Sequence, residues 1–176
     1  MCFVLYYTIE KQYIACKRAT IDYLNKSERK VLEKLEIAII ASDMKKELMT
    51  QFCIAYCGIL SKHSLCATSI TAKYISDATG LKIERLLTGE QGGEEQIATR
   101  VAYNEIDVLL YFRDTRGTSG YDGAGAELLL ACDRANIPVA TNIATAEVLI
   151  TALERGDLDW RNFINPTSEY NRKKRS

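Results

Sequence analysis

Thr88-Gly89-Glu90-Gln91-Gly92-Gly93-Glu94-Glu95-Gln96 separates an extended stretch read as a strand, Lys82 to Leu87, from a helical pattern that begins near Gly93. Strand, glycine turn and helix in that order form one β-α unit, and the unit recurs along the chain. Upstream, Ile37-Ala38-Ile39-Ile40-Ala41 is the uninterrupted apolar run that a strand buried on both faces requires. Asp43 to Leu60 follows as a helix, with Met44, Leu48, Phe52, Ala55, Tyr56 and Ile59 on one face. Leu65-Cys66-Ala67-Thr68 is a second strand, and a helix near Thr71 to Ala78 is ended by Thr79-Gly80. Downstream, the helix from Gly93 reaches Asn104, and Asp107-Val108-Leu109-Leu110-Tyr111-Phe112 is the clearest strand of all. Gly123 to Ala135 reads as helix, Ile137-Pro138-Val139-Ala140 as a fifth strand and Thr145 to Arg155 as a closing helix. Five such units in succession predict the α/β class: a single three-layer domain whose five-stranded, mainly parallel sheet is covered by helices on both faces.

The quoted stretch also has a chemical reading. Its glycines leave backbone N–H groups uncovered and the helix adds its positive end, so an anion suits it, with the Glu94 carboxylate placed as a base beside a bound phosphate ester. A tight turn whose acidic residues answer the helix dipole fits the same residues.

Composition narrows the partners. The chain has 176 residues, 47% hydrophobic and 26% charged, which suits one domain with a substantial core. Its 23 basic and 23 acidic residues cancel, so no overall field favours nucleic acid or an anionic membrane. Small molecules or further copies of the chain are the expected partners. The apolar start, Met1 to Tyr7, is too short for a secretory signal, so the six cysteines are read as reduced and the protein as cytoplasmic. Cys53 and Cys57 lie one helical turn apart, but with a single histidine in the chain they read as buried small hydrophobes rather than metal ligands.

Residues 1–35 differ from the alternating region. Tyrosines interspersed with basic residues, and Ser27-Glu28-Arg29-Lys30 ahead of Val31, Leu32 and Leu35, suggest a helical N-terminal extension capped by Asn25 or Ser27. Either a subunit-contact arm or a plain lead-in fits. Residues 36–166 form the main domain and 167–176 a basic tail, with Arg172-Lys173-Lys174-Arg175 read as a solvated end.

In an open parallel sheet, ligands bind outside the carboxyl ends of the strands. The exits here are Ser42-Asp43, Thr68-Ser69, Thr88-Gly89, Arg113-Asp114 and Thr141-Asn142, and every one is polar. Hydroxyls converging with Lys46 and backbone N–H groups are what a phosphate needs, although each hydroxyl alone is more often a helix cap. The long connection from Arg113 to Gly123 has the composition of a lid or of a flexible surface loop. His63 precedes the second strand, at the opposite edge, and reads as structural or solvated.

From about residue 36 to 166 these motifs resemble the methylglyoxal synthase family. The resemblance rests on Ile37 to Asp43 with Lys46, Leu65 to Thr68 with Thr71, Thr88-Gly89 through Gly92-Gly93-Glu94 to Gln96, and Phe112-Arg113-Asp114. It continues through Asn136 to Asn142, Ala144-Thr145-Ala146, and the closing Arg155 to Trp160. It implies conversion of dihydroxyacetone phosphate to methylglyoxal and phosphate, without metal or organic cofactor, usually by a homohexamer. Phosphate-binding positions carry over to Lys46, Thr68, Thr71, Thr88 and Gly89, with threonine at 88 where serine is usual. The catalytic positions depart further. Glu94 stands where the family has an aspartate base, Tyr121 where it has a histidine, Ala124 where it has an aspartate, and Ser42 where a histidine precedes the retained Asp43. Ser69 and Ala72 replace glycines and Ile70 a threonine, while Asp114 is kept. The departures cluster at the reacting end, so the expected function is binding of a phosphorylated small molecule, with a nucleotide as the candidate ligand, through an intact cradle. The alternative is an active synthase using Glu94 as base, with Asp114 and Asp43 arranging it and Tyr121 replacing the histidine.

Overall fold

The computed structural model describes residues 34–114 and 124–158. The expected N-terminal extension with its caps, the middle of the long loop including Tyr121, and the basic tail lie outside the described residues. The elements run in strict alternation: β1 (Glu36–Ala41), a 3-10 turn (Asp43–Lys45), α1 (Lys46–Ala55), α2 (Cys57–Leu60), β2 (Ser64–Thr68) and α3 (Ser69–Thr79). They continue with β3 (Glu84–Leu86), a 3-10 turn (Gly89–Gln91), α4 (Gly93–Ala102), β4 (Val108–Phe112), α5 (Ala124–Arg134), β5 (Val139–Ala140) and α6 (Ile143–Arg155).

All strand pairings are parallel, in the order β3-β2-β1-β4-β5. Period-two alternation divides the core into two layers. Ile37, Ile39, Ala41, Leu110 and Phe112 face Met49, Phe52 and Cys53 of α1, Ala72 and Ile75 of α3, and Ile150 and Leu153 of α6. Ala38, Ile40, Leu109 and Tyr111 face Ile97 and Val101 of α4 and Leu128 and Cys132 of α5. With helices on both faces all of β4 and all of β1 after Glu36 are buried, which is why these two strands read as unbroken apolar runs. Burying each large aliphatic side chain stabilises the fold by about 1.5–3 kcal/mol.

Two expectations need correcting. The helix foreseen from Asp43 to Leu60 is three pieces, interrupted at Tyr56 (φ −108°, ψ 20°). The 3-10 start shifts the phase of α1, so Met49, Phe52, Cys53 and Leu60 are buried while Met44 is 64% exposed. The third strand is three residues rather than six, as befits the edge of the sheet. There Arg100 of α4 donates from Nη2 to both Glu84 carboxylate oxygens at 2.9 Å.

His63 is buried at the amino end of β2, where its Nδ1 accepts the Leu35 N–H at 3.3 Å. That bond needs the neutral ring, and burial, with Lys62 and Lys34 nearby, holds the pKa below its ordinary 6.5. Below pH 6.5 the unfolded chain takes up a proton that the folded chain resists. The stability from this group is therefore full above that pH and is lost as pH falls toward the depressed folded value. Melting temperatures at pH 7.5 and 5.5 should differ less for His63→Gln than for the parent; an unchanged difference would remove His63 from the acid response.

Candidate active site at the carboxyl edge

The chain leaves β1 toward β2 on one side and leaves β4 toward β5 on the other, so the topological switch lies between the carboxyl ends of β1 and β4. The two ends are joined there by the Ser42 N–H, which donates to the Phe112 carbonyl at 3.0 Å. Asp43 follows β1 and Asp114 follows β4, so two carboxylate residues flank this crevice. The Ser42 hydroxyl oxygen is buried beside it without a hydrogen-bond partner among the described residues.

Polar side chains at the strand exits are either caps or available to a ligand, and the structure separates the two. Asn142 is a cap: its Oδ1 accepts the Thr145 N–H at 3.0 Å. Ser42, Thr68 and Thr88 occupy N-cap positions but make no side-chain cap bond. Thr68 instead donates from Oγ1 to Thr71 Oγ1 at 3.1 Å, both side chains being buried at the start of α3. Lys46, in the first turn of α1, keeps its side chain 14% exposed and pairs with the far more exposed Asp43. These groups are presented by strand ends and helix starts, elements whose backbones the sheet holds rigidly.

The glycine turn is organised differently from the sequence expectation. Gly92 lies in the left-handed region (φ 90°), so the chain doubles back. Its N–H donates to the Gly89 carbonyl at 3.2 Å and that of Gly93 to the Thr88 carbonyl at 2.8 Å. These two amides close the turn and are not open to an anion. A Cβ on Gly93 would meet the Leu87 carbonyl oxygen, the Thr88 carbonyl oxygen at 2.9 Å and the Thr68 methyl at 3.0 Å. The turn thus presses against the hydroxyl cluster, and Glu94 emerges next to it in the first turn of α4. Gln96 Oε1 accepts the Leu87 N–H at 3.0 Å and ties the same turn to the end of β3.

Glu94 is held by a residue that sequence reasoning had placed only in a strand. Tyr111 of β4 donates its hydroxyl to Glu94 Oε1 at 3.0 Å. Burial first, and the Glu94 charge second, push the phenol above its ordinary value, so it remains a protonated donor. The Arg113 guanidinium sits 5.8 Å from the centre of the Tyr111 ring. A polar-tipped aromatic one residue from the end of an apolar strand was the available signal.

Among the described residues, no group of three or more His, Cys, Asp or Glu side chains is placed to hold a metal. Cys53 is fully buried in the core, its thiol pushed up to about 12 by burial. A cavity of about 460 Å³ lies at the amino edge between Lys34, Glu36, His63 and Glu84. Its charges are mixed and it is remote from the switch point, so the carboxyl edge remains the better candidate.

These features define an α/β protein with an open parallel sheet, whose carboxyl edge carries the Thr68–Thr71 hydroxyl pair, the Lys46–Asp43 pair and the Glu94 carboxylate held by Tyr111. Comparison with known proteins identifies the line of descent. Curated methylglyoxal synthases from Caldicellulosiruptor saccharolyticus and Oceanobacillus iheyensis are 51% and 45% identical over 138 and 135 residues, covering 78% and 77% of this chain and 98% and 96% of theirs. The crystal structure of methylglyoxal synthase from Elizabethkingia anophelis superposes with a TM-score of 0.63 at 30% identity, over 67% of this chain and 78% of that one. No protein-family model matches the chain. The chain belongs to the methylglyoxal synthase family.

Proposed function

We propose that the chain is an active synthase, eliminating phosphate from dihydroxyacetone phosphate to form methylglyoxal, with Glu94 as the base. This prefers the enzymatic alternative to the binding reading, because relatives about half identical over nearly their whole length carry the synthase name. The observation that carries it is the placement of Glu94: a carboxylate held by Tyr111 and joined through Gly93 to the Thr68–Thr71 hydroxyls. In the proposed sequence Lys46, Thr68, Thr71, Thr88 and Gly89 hold the phosphate, Glu94 removes a proton from the hydroxymethyl carbon, and the enediolate expels phosphate. Asp43 and Asp114 order the crevice. The enol then becomes methylglyoxal. Tyr121 is assigned, through the family resemblance, the donor on the carbonyl oxygen.

With glutamate for aspartate and no histidine at this edge, turnover is expected roughly 10³-fold below that of members with the usual pair. Methylglyoxal release from dihydroxyacetone phosphate is the direct measurement. Lys46→Ala should raise KM about 10- to 100-fold by removing a charged phosphate contact, and should abolish the thermal shift caused by inorganic phosphate. An unaltered KM would remove Lys46 from the cradle. Absence of methylglyoxal together with a Lys46-dependent shift by phosphate esters or nucleotides would restore the binding reading. Self-association is proposed as well, since Ile54, Tyr74 and Val148 are more than half exposed on the described surface. Light scattering at micromolar concentration should then give a mass above 19.8 kDa, with a hexamer the specific expectation.

A further inference from the structure

We infer that Tyr111 is the positioning residue that lets a glutamate serve as the base at position 94, and that Gly125 keeps open the space the pair occupies. The inference rests on the enzymatic reading of this site. A glutamate is one methylene longer than the aspartate of the family pattern and has one more torsion to fix. A displacement of about 1 Å at the base can cost on the order of 10²-fold in rate. Glu94 therefore needs both room and a tether.

Tyr111 supplies the tether. Its backbone lies in β4, in register with Ile40 of β1 and so near the centre of the sheet. The side chain is 7% exposed, packed among the residues beneath α4 and α5, and tyrosine has only two torsions to order. Its hydroxyl reaches Glu94 Oε1, not Oε2, at 3.0 Å. One oxygen is anchored while the other is left to take up the proton.

Gly125, in the first turn of α5, supplies the room. A Cβ there would stand 2.7 Å from the Tyr111 hydroxyl oxygen and 3.3 Å from Glu94 Oε2. The first distance is closer than real Cβ atoms come, so any side chain at this position would push the hydroxyl off the carboxylate. Glycine is thus required by its neighbours across the α4–α5 contact, not by its own backbone.

The test is steady-state turnover of dihydroxyacetone phosphate by the full chain and its variants, with folding checked by circular dichroism. Tyr111→Phe should lower kcat about 10- to 100-fold and leave KM within about threefold, because the phosphate cradle is untouched. A role limited to packing would not confine the loss to kcat. Glu94→Asp, too short to reach the phenol, should make a further Tyr111→Phe change nearly silent, within about twofold. Gly125→Ala should lower kcat in the parent and have much less effect beside Tyr111→Phe, where the colliding oxygen is gone; if Gly125→Ala does not fold, the kcat and KM split of Tyr111→Phe still decides. Unchanged kcat in Tyr111→Phe, or a loss carried by KM, overturns the positioning role while leaving the synthase reading intact. No methylglyoxal from the parent protein overturns both.

Discussion

Glu94→Gln should lower the proposed turnover of dihydroxyacetone phosphate by about 10²–10⁴-fold. Glutamine keeps the length of the side chain and can still accept the Tyr111 hydroxyl bond, so the cradle and the fold are left in place. What it removes is the ability to take a proton. The thermal shift with inorganic phosphate should accordingly match that of the parent, separating loss of chemistry from loss of binding. Turnover within tenfold of the parent would mean that another group is the base.

Gly93→Ala should have the largest effect on stability. The added methyl would lie against the carbonyl oxygens of Leu87 and Thr88, the second of which already accepts the Gly93 N–H at 2.8 Å. Neither oxygen is the free end of a side chain, so the turn itself must move. Overpacking of this kind costs about 1–3 kcal/mol, and the backbone position argues for the upper end, or roughly 5–10 °C in melting temperature. Activity should fall as well, because the Thr68 methyl, 3.0 Å away, moves with its hydroxyl. Gly89→Ala is the control: a Cβ there meets nothing within 4 Å, and its effect on melting temperature should be small. Equal melting temperatures for the two variants would contradict the packing described for the turn.

Several features were legible before any coordinates. Ile37 to Ala41 and Asp107 to Phe112 read as strands covered on both sides, because short unbroken apolar runs are the pattern of parallel strands buried on both faces. The order of β-α units then required a parallel sheet, and the parallel sheet put Ser42, Thr68, Thr88 and Asp114 at its carboxyl edge, where folds of this class bind their ligands. Element ends were less legible. The break at Tyr56 and the three-residue β3 depend on how α1 and the edge of the sheet settle against their neighbours, and helical periodicity carries no record of that.

The sequence by itself determined the architecture, the family and the polar edge, since hydrophobic period and glycine placement are local properties written along the chain. Tertiary structure decided which of the polar side chains at the edge were caps and which were not, because Asn142 and Thr68 are both good capping residues until the bond to the helix N–H is seen at one and not at the other. It also decided that the amides of Gly92 and Gly93 close their own turn, through one left-handed residue that composition cannot locate. The partnership of Tyr111, Glu94 and Gly125 belongs wholly to the fold. Residues 14 to 31 positions apart meet there only because β4, α4 and α5 converge at one corner of the sheet, and such contacts across long chain separations leave no periodic trace.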